Sequence, residues 1–203
     1  KTAFWFAVVW TAIAQTWAIL LGPWIAAATG LGLVLAWAYS APPLRLKMNG
    51  WWGNSAVAIS YEGLAWITGA AIVIGGDLPA EPILLIALLY SIGAHGIMTL
   101  NDFKSVEGDL AMGIRSLPAQ LGPTHAARVA CLFMLLPQLI VILLLVRWSL
   151  TPFALAVGLV VVTQCLAMRK LLRDPKQFAP WYNATGVSLY VLGMMAVAIG
   201  LGG

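Results

Sequence analysis

The chain has 203 residues, 62% of them hydrophobic and 9% charged, with a formal net charge of +4. Soluble domains carry roughly 25% charged residues, so this composition excludes a soluble globular enzyme and implies an all-α, polytopic membrane bundle of about seven spans. Two cysteines, Cys131 and Cys165, exclude a zinc framework, and no stretch resembles a nucleic-acid surface, so no nucleic-acid partner is expected.

The apolar runs come in order. The first, about Phe4 to Leu21, ends at Gly22-Pro23, and the second, about Trp24 to Tyr39, follows at once, which predicts a tight helical hairpin. A polar loop from Ser40 to Gly50 follows, its two prolines barring helix. The third run, about Trp52 to Ile74, contains Glu62; Gly75-Gly76-Asp77 and Pro79 form a short turn. The fourth, about Pro82 to Leu100, leads into HGIMTLNDFKSVEGDLAMGIRSLP at His95–Pro118. A fifth covers about Ala126 to Val146 and a sixth about Phe153 to Met168; Arg169 to Tyr182 reads as a basic loop, and about Ala184 to Leu201 closes the chain. The sequence starts at Lys1 with none of its seven methionines nearby, which reads as a fragment of a longer protein; no cleavable signal is evident.

Lys1, Arg45, Lys47, Lys104, Arg115, Arg128, Arg169, Lys170, Arg173 and Lys176 fall at one set of helix ends, and of the 11 basic residues only Arg147 falls at the other. That bias predicts cytoplasmic long loops, an N-terminus inside and a C-terminus outside. The chemistry is therefore expected on the cytoplasmic face of an integral membrane protein. The ten tryptophans read mainly as interfacial belt, as at Trp51-Trp52 and Trp181-Tyr182.

The His95–Pro118 stretch concentrates chemistry. Asp102, Glu107 and Asp109 are three of the seven acidic residues, with Lys104 and Arg115 among them. Carboxylates at the mouth of a membrane helix are costly to place and seldom serve stability. On one helix, Asp102 and Asp109 would share a face about 10 Å apart, a spacing suited to gripping hard cations. Mg²⁺ is commonly held by one or two carboxylates plus the phosphates of a substrate. The residues thus point to a Mg²⁺-diphosphate site at a membrane surface. Lys104 and Arg115 would complement a diphosphate and equally serve as surface anchors. Arg45 and Lys47 are suited to phosphate, although a positive-inside signal alone also explains them. Glu62, inside a span, must be paired, protonated or functional, and Tyr61 is one possible partner. His95, one turn before Thr99, is a packing residue, a pigment-metal ligand or a substrate contact.

The pattern N-D-x-K-x-x-E-x-D-x-x-x-G-I-R-S-L-P resembles the second aspartate-rich motif of UbiA-type intramembrane prenyltransferases. Within that superfamily, GWWG at Gly50–Gly53, YEG at Tyr61–Gly63, GAHGIMTLNDFKSVEGD at Gly93–Asp109 and WYN–TGVSLYVLGMM at Trp181–Met195 are similar to the bacteriochlorophyll/chlorophyll synthase group. The resemblance runs over essentially the whole chain, as one transmembrane prenyltransferase domain over 1–203. It implies a nine-helix bundle around a membrane-open cavity. The implied reaction is transfer of geranylgeranyl or phytyl from its diphosphate to the propionate of (bacterio)chlorophyllide. It also implies Mg²⁺ bridging the diphosphate to two aspartate motifs. Motif matching makes Asn101, Asp102 and Asp109 the second-motif ligands, with Tyr39 and Lys47 in the diphosphate-holding loop. Implied partners are the prenyl diphosphate, the chlorophyllide, the bilayer of a cytoplasmic or photosynthetic membrane, and other pigment-biosynthesis or photosynthetic-complex proteins. The family's first motif, N-D-x-x-D-x-x-x-D, is absent, and the seven runs match helices three to nine, so the first two helices are expected to be missing and such a chain to catalyse poorly alone.

The expected chemistry is attack by the propionate carboxylate on an allylic carbon as the diphosphate leaves, with electrostatics and positioning as the protein's share. Two alternatives stay open: a non-catalytic pigment-binding or assembly subunit, with His95 or a backbone carbonyl on a chlorophyll magnesium, and prenyl transfer to a quinone precursor or haem.

Overall fold

The computed structural model describes residues 2–202. The expected runs appear as helices: α1 Thr2–Leu21, α2 Pro23–Ser40, α3 Gly50–Ala58, α4 Ala65–Val73, α5 Glu81–Asp102, α6 Val106–Ala111, α7 Leu117–Arg147, α8 Thr151–Arg173 and α9 Pro175–Gly202. A wide π-type segment, Ile59–Leu64, joins α3 to α4, so residues 50–73 form one interrupted span. Among the described residues seven such helices are long and apolar enough to cross a bilayer. The chain is an integral membrane protein, built as an all-α bundle. Lys1, one of the cations used for orientation, lies outside the described residues.

Prolines set the starts of the spans. Pro23, Pro82, Pro118 and Pro152 each occupy one of the first two helical positions, where a missing N–H costs nothing. α7 has 31 residues, about 46 Å if straight and well beyond the ~30 Å hydrocarbon core. It breaks at Gly122 (φ 73°), which separates a short opening segment from the spanning part. The fifth run therefore starts earlier than its hydropathy indicated.

The core is made by α5, α7, α8 and α9. α5 and α7 touch backbone to backbone: a Cβ on Gly96 would collide with the Ala130 carbonyl and press on Met134. Fully buried amides tie the rest. Gln138 Nε2 donates to Gln164 Oε1 (2.7 Å) and Gln164 Nε2 donates to the Gly186 carbonyl (3.1 Å), while Tyr190 Oη donates to the Tyr90 carbonyl across the bundle (3.0 Å). In a lipid-facing protein such groups must find partners inside. α1 and α2 are different: their buried residues are Ala18, Ile25 and Ala28 alone, and tryptophans such as Trp5, Trp10 and Trp17 stand exposed.

Three readings need correction. Arg169 to Tyr182 is helical apart from Asp174, whose carboxylate accepts from the Gln177 amide (3.1 Å) and restarts the chain as α9 at Pro175. Lys170 lies 4.1 Å above the Trp181 ring and 4.8 Å above Phe178, stapling the two helices. Tyr182 is fully buried, not part of an interfacial belt, whereas Trp52 is 67% exposed and fits one. Finally, Asp102 and Asp109 do not share a helix: α5 ends at Asp102 and a turn precedes α6.

Replacing Gly96 by Leu should cost about 1–3 kcal/mol, the usual penalty for overpacking, in denaturant unfolding of the detergent-solubilised protein. Gly108→Ala, where a Cβ meets nothing within 4 Å, should stay within about 0.5 kcal/mol of the parent.

Candidate active site

Two polar segments meet at one end of the bundle. After α2 the chain turns through a short 3₁₀ helix, Leu46–Met48, before α3. Arg115, just ahead of α7, pairs with this segment along the backbone: the Arg115 amide donates to the Met48 carbonyl (3.0 Å) and the Gly50 amide donates to the Arg115 carbonyl (2.7 Å). Gly50 is required here, because a Cβ would sit 2.6 Å from the Leu117 nitrogen. Asn49 caps α3 by accepting from the Trp51 amide (2.9 Å).

This pairing closes a cavity of about 210 Å³, whose wall includes Tyr39, Lys47, Asn54, Asp102, Asp109 and Ser116. Asp102 Oδ2 accepts from Asn54 Nδ2 (3.1 Å), and the same amide approaches Thr99 Oγ1 (3.4 Å). Ser105 Oγ lies 3.1 Å from Asp109 Oδ2 and 3.2 Å from the Asp102 carbonyl. The Asp109 amide donates to the Ser105 carbonyl (2.8 Å) and the Ile114 amide to the Asp109 carbonyl (2.8 Å). Thus the turn after α5 folds α6 back, and both carboxylates reach one cavity by a route a single helix would not provide. Asp109 is only 8% exposed.

The other expected residues are dispersed. Asn101 Oδ1 accepts from Asn183 Nδ2 (2.8 Å) and ties α5 to α9. Lys104 is exposed and lines a neighbouring cleft of about 650 Å³, together with Glu107 and Lys176. Arg115 is exposed, and its backbone makes the contacts described above. Arg45 is exposed, in a left-handed conformation (φ 41°). Glu62 is half-buried in the π segment, a feature frequent at functional sites. His95 is 3% exposed and forms a three-ring aromatic cluster with Phe133 (4.4 Å between centroids) and Trp51 (5.7 Å). Its ring nitrogens have no hydrogen-bond partner, and it lies two helical turns, about 10 Å, before Asp102.

Reading the sequence overlooked Asn54, Ser105 and Ser116. Asn54 carried a usable signal, being an amide inside a predicted span; the serines carried none, since their roles arise from the fold-back of the loop.

A family model described as the UbiA prenyltransferase family matches residues 1–200. The chain belongs to the UbiA prenyltransferase family. It is 51% identical to the bacteriochlorophyll synthase 33 kDa chain of Cereibacter sphaeroides over 203 residues, covering 100% of this chain and 67% of that one. It is 49% identical to the bacteriochlorophyll synthase 34 kDa chain of Chloroflexus aurantiacus over 193 residues, 95% of this chain and 61% of the relative. A solved structure titled as a study of digeranylgeranylglyceryl phosphate synthase in membranes shares the fold, with TM-score 0.75, 17% identity, and coverage of 98% of this chain and 68% of that one. The chain thus spans about two thirds of these proteins' length. UbiA enzymes are generally divalent-metal dependent.

Asn54→Ala would leave the Asp102 carboxylate without its amide donor. Removing such a supporting partner typically costs 10–100-fold in metal affinity or activity. If Asp102 holds a divalent ion, a divalent-ion titration of turnover by the natural full-length protein should shift its midpoint by about that factor, on the order of tenfold or more; an unchanged midpoint would overturn a supporting role for Asn54 at a metal-holding Asp102.

Proposed function

We propose that the protein to which this chain belongs transfers a geranylgeranyl or phytyl group from its diphosphate to the propionate of (bacterio)chlorophyllide. The supporting observation is the convergence of Asp102 and Asp109 on one cavity that Tyr39 and Lys47 also line, in a chain about half identical to named bacteriochlorophyll synthases.

The donor set fits Mg²⁺. Both carboxylates and the surrounding amide and hydroxyl groups are hard oxygen donors, and among the described residues no group of three or more His, Cys, Asp or Glu side chains comes together. Two carboxylates with the remaining ligands from phosphate oxygens and water match Mg²⁺ better than a soft metal. Asp102 and Asp109 would hold the ion; bound Mg²⁺ offsets charge on the diphosphate. Asn101, bonded to Asn183, we read as fixing the end of α5.

Lys47 places a cation against the phosphates, and Tyr39 and Asn54 set the walls. The acceptor carboxylate oxygen forms a bond to the allylic carbon, and the carbon–oxygen bond to the diphosphate breaks with its electron pair leaving on phosphate. An ionised carboxylate needs no general base, so positioning and electrostatics are the chain's contribution. His95 and Glu62, deeper in the span, are proposed acceptor-side contacts, with Lys104, Arg115 and Arg45 as outer cations. The cation bias supports a cytoplasmic orientation for this end, in a pigment-synthesising membrane.

The test uses the natural full-length protein in detergent, with chlorophyllide or bacteriochlorophyllide and a prenyl diphosphate, reading esterified pigment by chromatography. Asp102→Ala and Asp109→Ala should each lower turnover at least about a hundredfold. Near-normal turnover with Mg²⁺ still required would overturn the ligand assignment. Transfer only to a quinone precursor or to haem would overturn the substrate, and pigment co-purifying without any transfer would favour a carrier.

A further inference from the structure

Ser116 precedes α7 at the N-cap position, where a serine hydroxyl ordinarily accepts from the amide two or three residues on. Here it makes no such bond. One reason is local: the residue two positions on is Pro118, which has no amide hydrogen. The hydroxyl is nevertheless only 4% exposed as a residue, has no hydrogen-bond partner and lies in the wall of the carboxylate cavity. A buried hydroxyl left unmatched costs roughly 1–3 kcal/mol, so a group with this placement is set for a ligand.

We propose that the Ser116 hydroxyl donates to a non-bridging oxygen of the donor's diphosphate, in the cavity that Asp102 and Asp109 also line. The inference rests on the diphosphate reading above, but not on the identity of the acceptor. An apolar prenyl tail would leave the hydroxyl unsatisfied, and the acceptor carboxylate brings no cation to offset Asp102 and Asp109; an oxygen of a cation-bound diphosphate is the partner that suits this hydroxyl. Ser116 acts here as a positioning residue, since it neither attacks nor leaves.

The test again uses the natural full-length protein and two probes, both with Mg²⁺ present: prenyl diphosphate in turnover, and inorganic pyrophosphate in equilibrium binding by calorimetry. Ser116→Ala should raise the donor KM and the pyrophosphate Kd together, by about tenfold, as for one hydrogen bond to a charged group. The chlorophyllide KM should stay within about twofold, since the acceptor makes no bond to this hydroxyl. Ser116→Thr, which keeps the hydroxyl, should restore both values to within about threefold, and Ser116→Cys, of similar size but a poor donor, should not. Should the alanine variant fail to fold, the threonine–cysteine pair decides. Unchanged pyrophosphate binding in Ser116→Ala or Ser116→Cys overturns the proposal, as does an equal rise in the KM of both substrates. If the wild type binds pyrophosphate with the expected Ser116 dependence yet esterifies no tetrapyrrole, the acceptor assignment fails and the role of Ser116 stands.

Discussion

Two backbone hydrogen bonds determine whether this protein has a site. The Arg115 amide on the Met48 carbonyl, and the Gly50 amide on the Arg115 carbonyl, join loops that are far apart in sequence. Everything cationic in the cavity arrives on the first loop and everything anionic on the second. Two aspartates facing one small cavity repel each other, so they do not gather the opposite wall by themselves until a cation is present. The pairing does that work in advance. It is also why Gly50 cannot be larger, and on the second loop it is made by the main chain of Arg115.

The bundle supporting these loops is uneven. α5, α7, α8 and α9 enclose buried glutamines and tyrosines whose hydrogen bonds cross between helices, and close contact at Gly96 locks α5 to α7. α1 and α2 present most of their surface outward. The cavity lies on the seam. Tyr39, Lys47 and Asn54 come from the α2–α3 side, while Asp102, Asp109 and Ser116 come from the densely packed side. Preorganisation is therefore concentrated on the carboxylates, whose geometry has to be held against their own repulsion.

The spans were legible because lipid imposes length and apolarity on every one of them, and because proline and glycine mark the turns. The aspartates were legible because charge is so scarce in this composition. Two of the readings, the shared helix of Asp102 and Asp109 and the basic loop, failed for a common cause. Periodicity along one helix put Asp102 and Asp109 on a shared face, but the end of α5 is set by the turn that Ser105 closes, a tertiary outcome. Arg169 to Tyr182 read as loop from its charge, yet Lys170 stacking on Trp181 and the Asp174 restart keep it helical. Asn101 and Asp102 are adjacent in one motif but point to different partners, α9 and α3, since neighbouring residues on a helix lie about 100° apart.

The electrostatics of the cavity decide what form of ligand it takes. Asp102 stands at the C-terminal end of α5, where the helix dipole is negative, and Asp109 is nearly buried beside it. Lys47 is the one basic side chain in the wall. A bare diphosphate, with several negative charges, meets two carboxylates and a negative helix end and gains one ammonium in return. The same anion carrying divalent cations brings the charge the carboxylates lack, and hard cations already bonded to phosphate oxygens need only one or two protein carboxylates each. Under the proposed function, this charge balance favours a cation-complexed diphosphate over the free anion, with the carboxylates as the selecting groups. Under the same reading, the Ser116 hydroxyl, which has no need of a cation, is the donor left to touch phosphate directly.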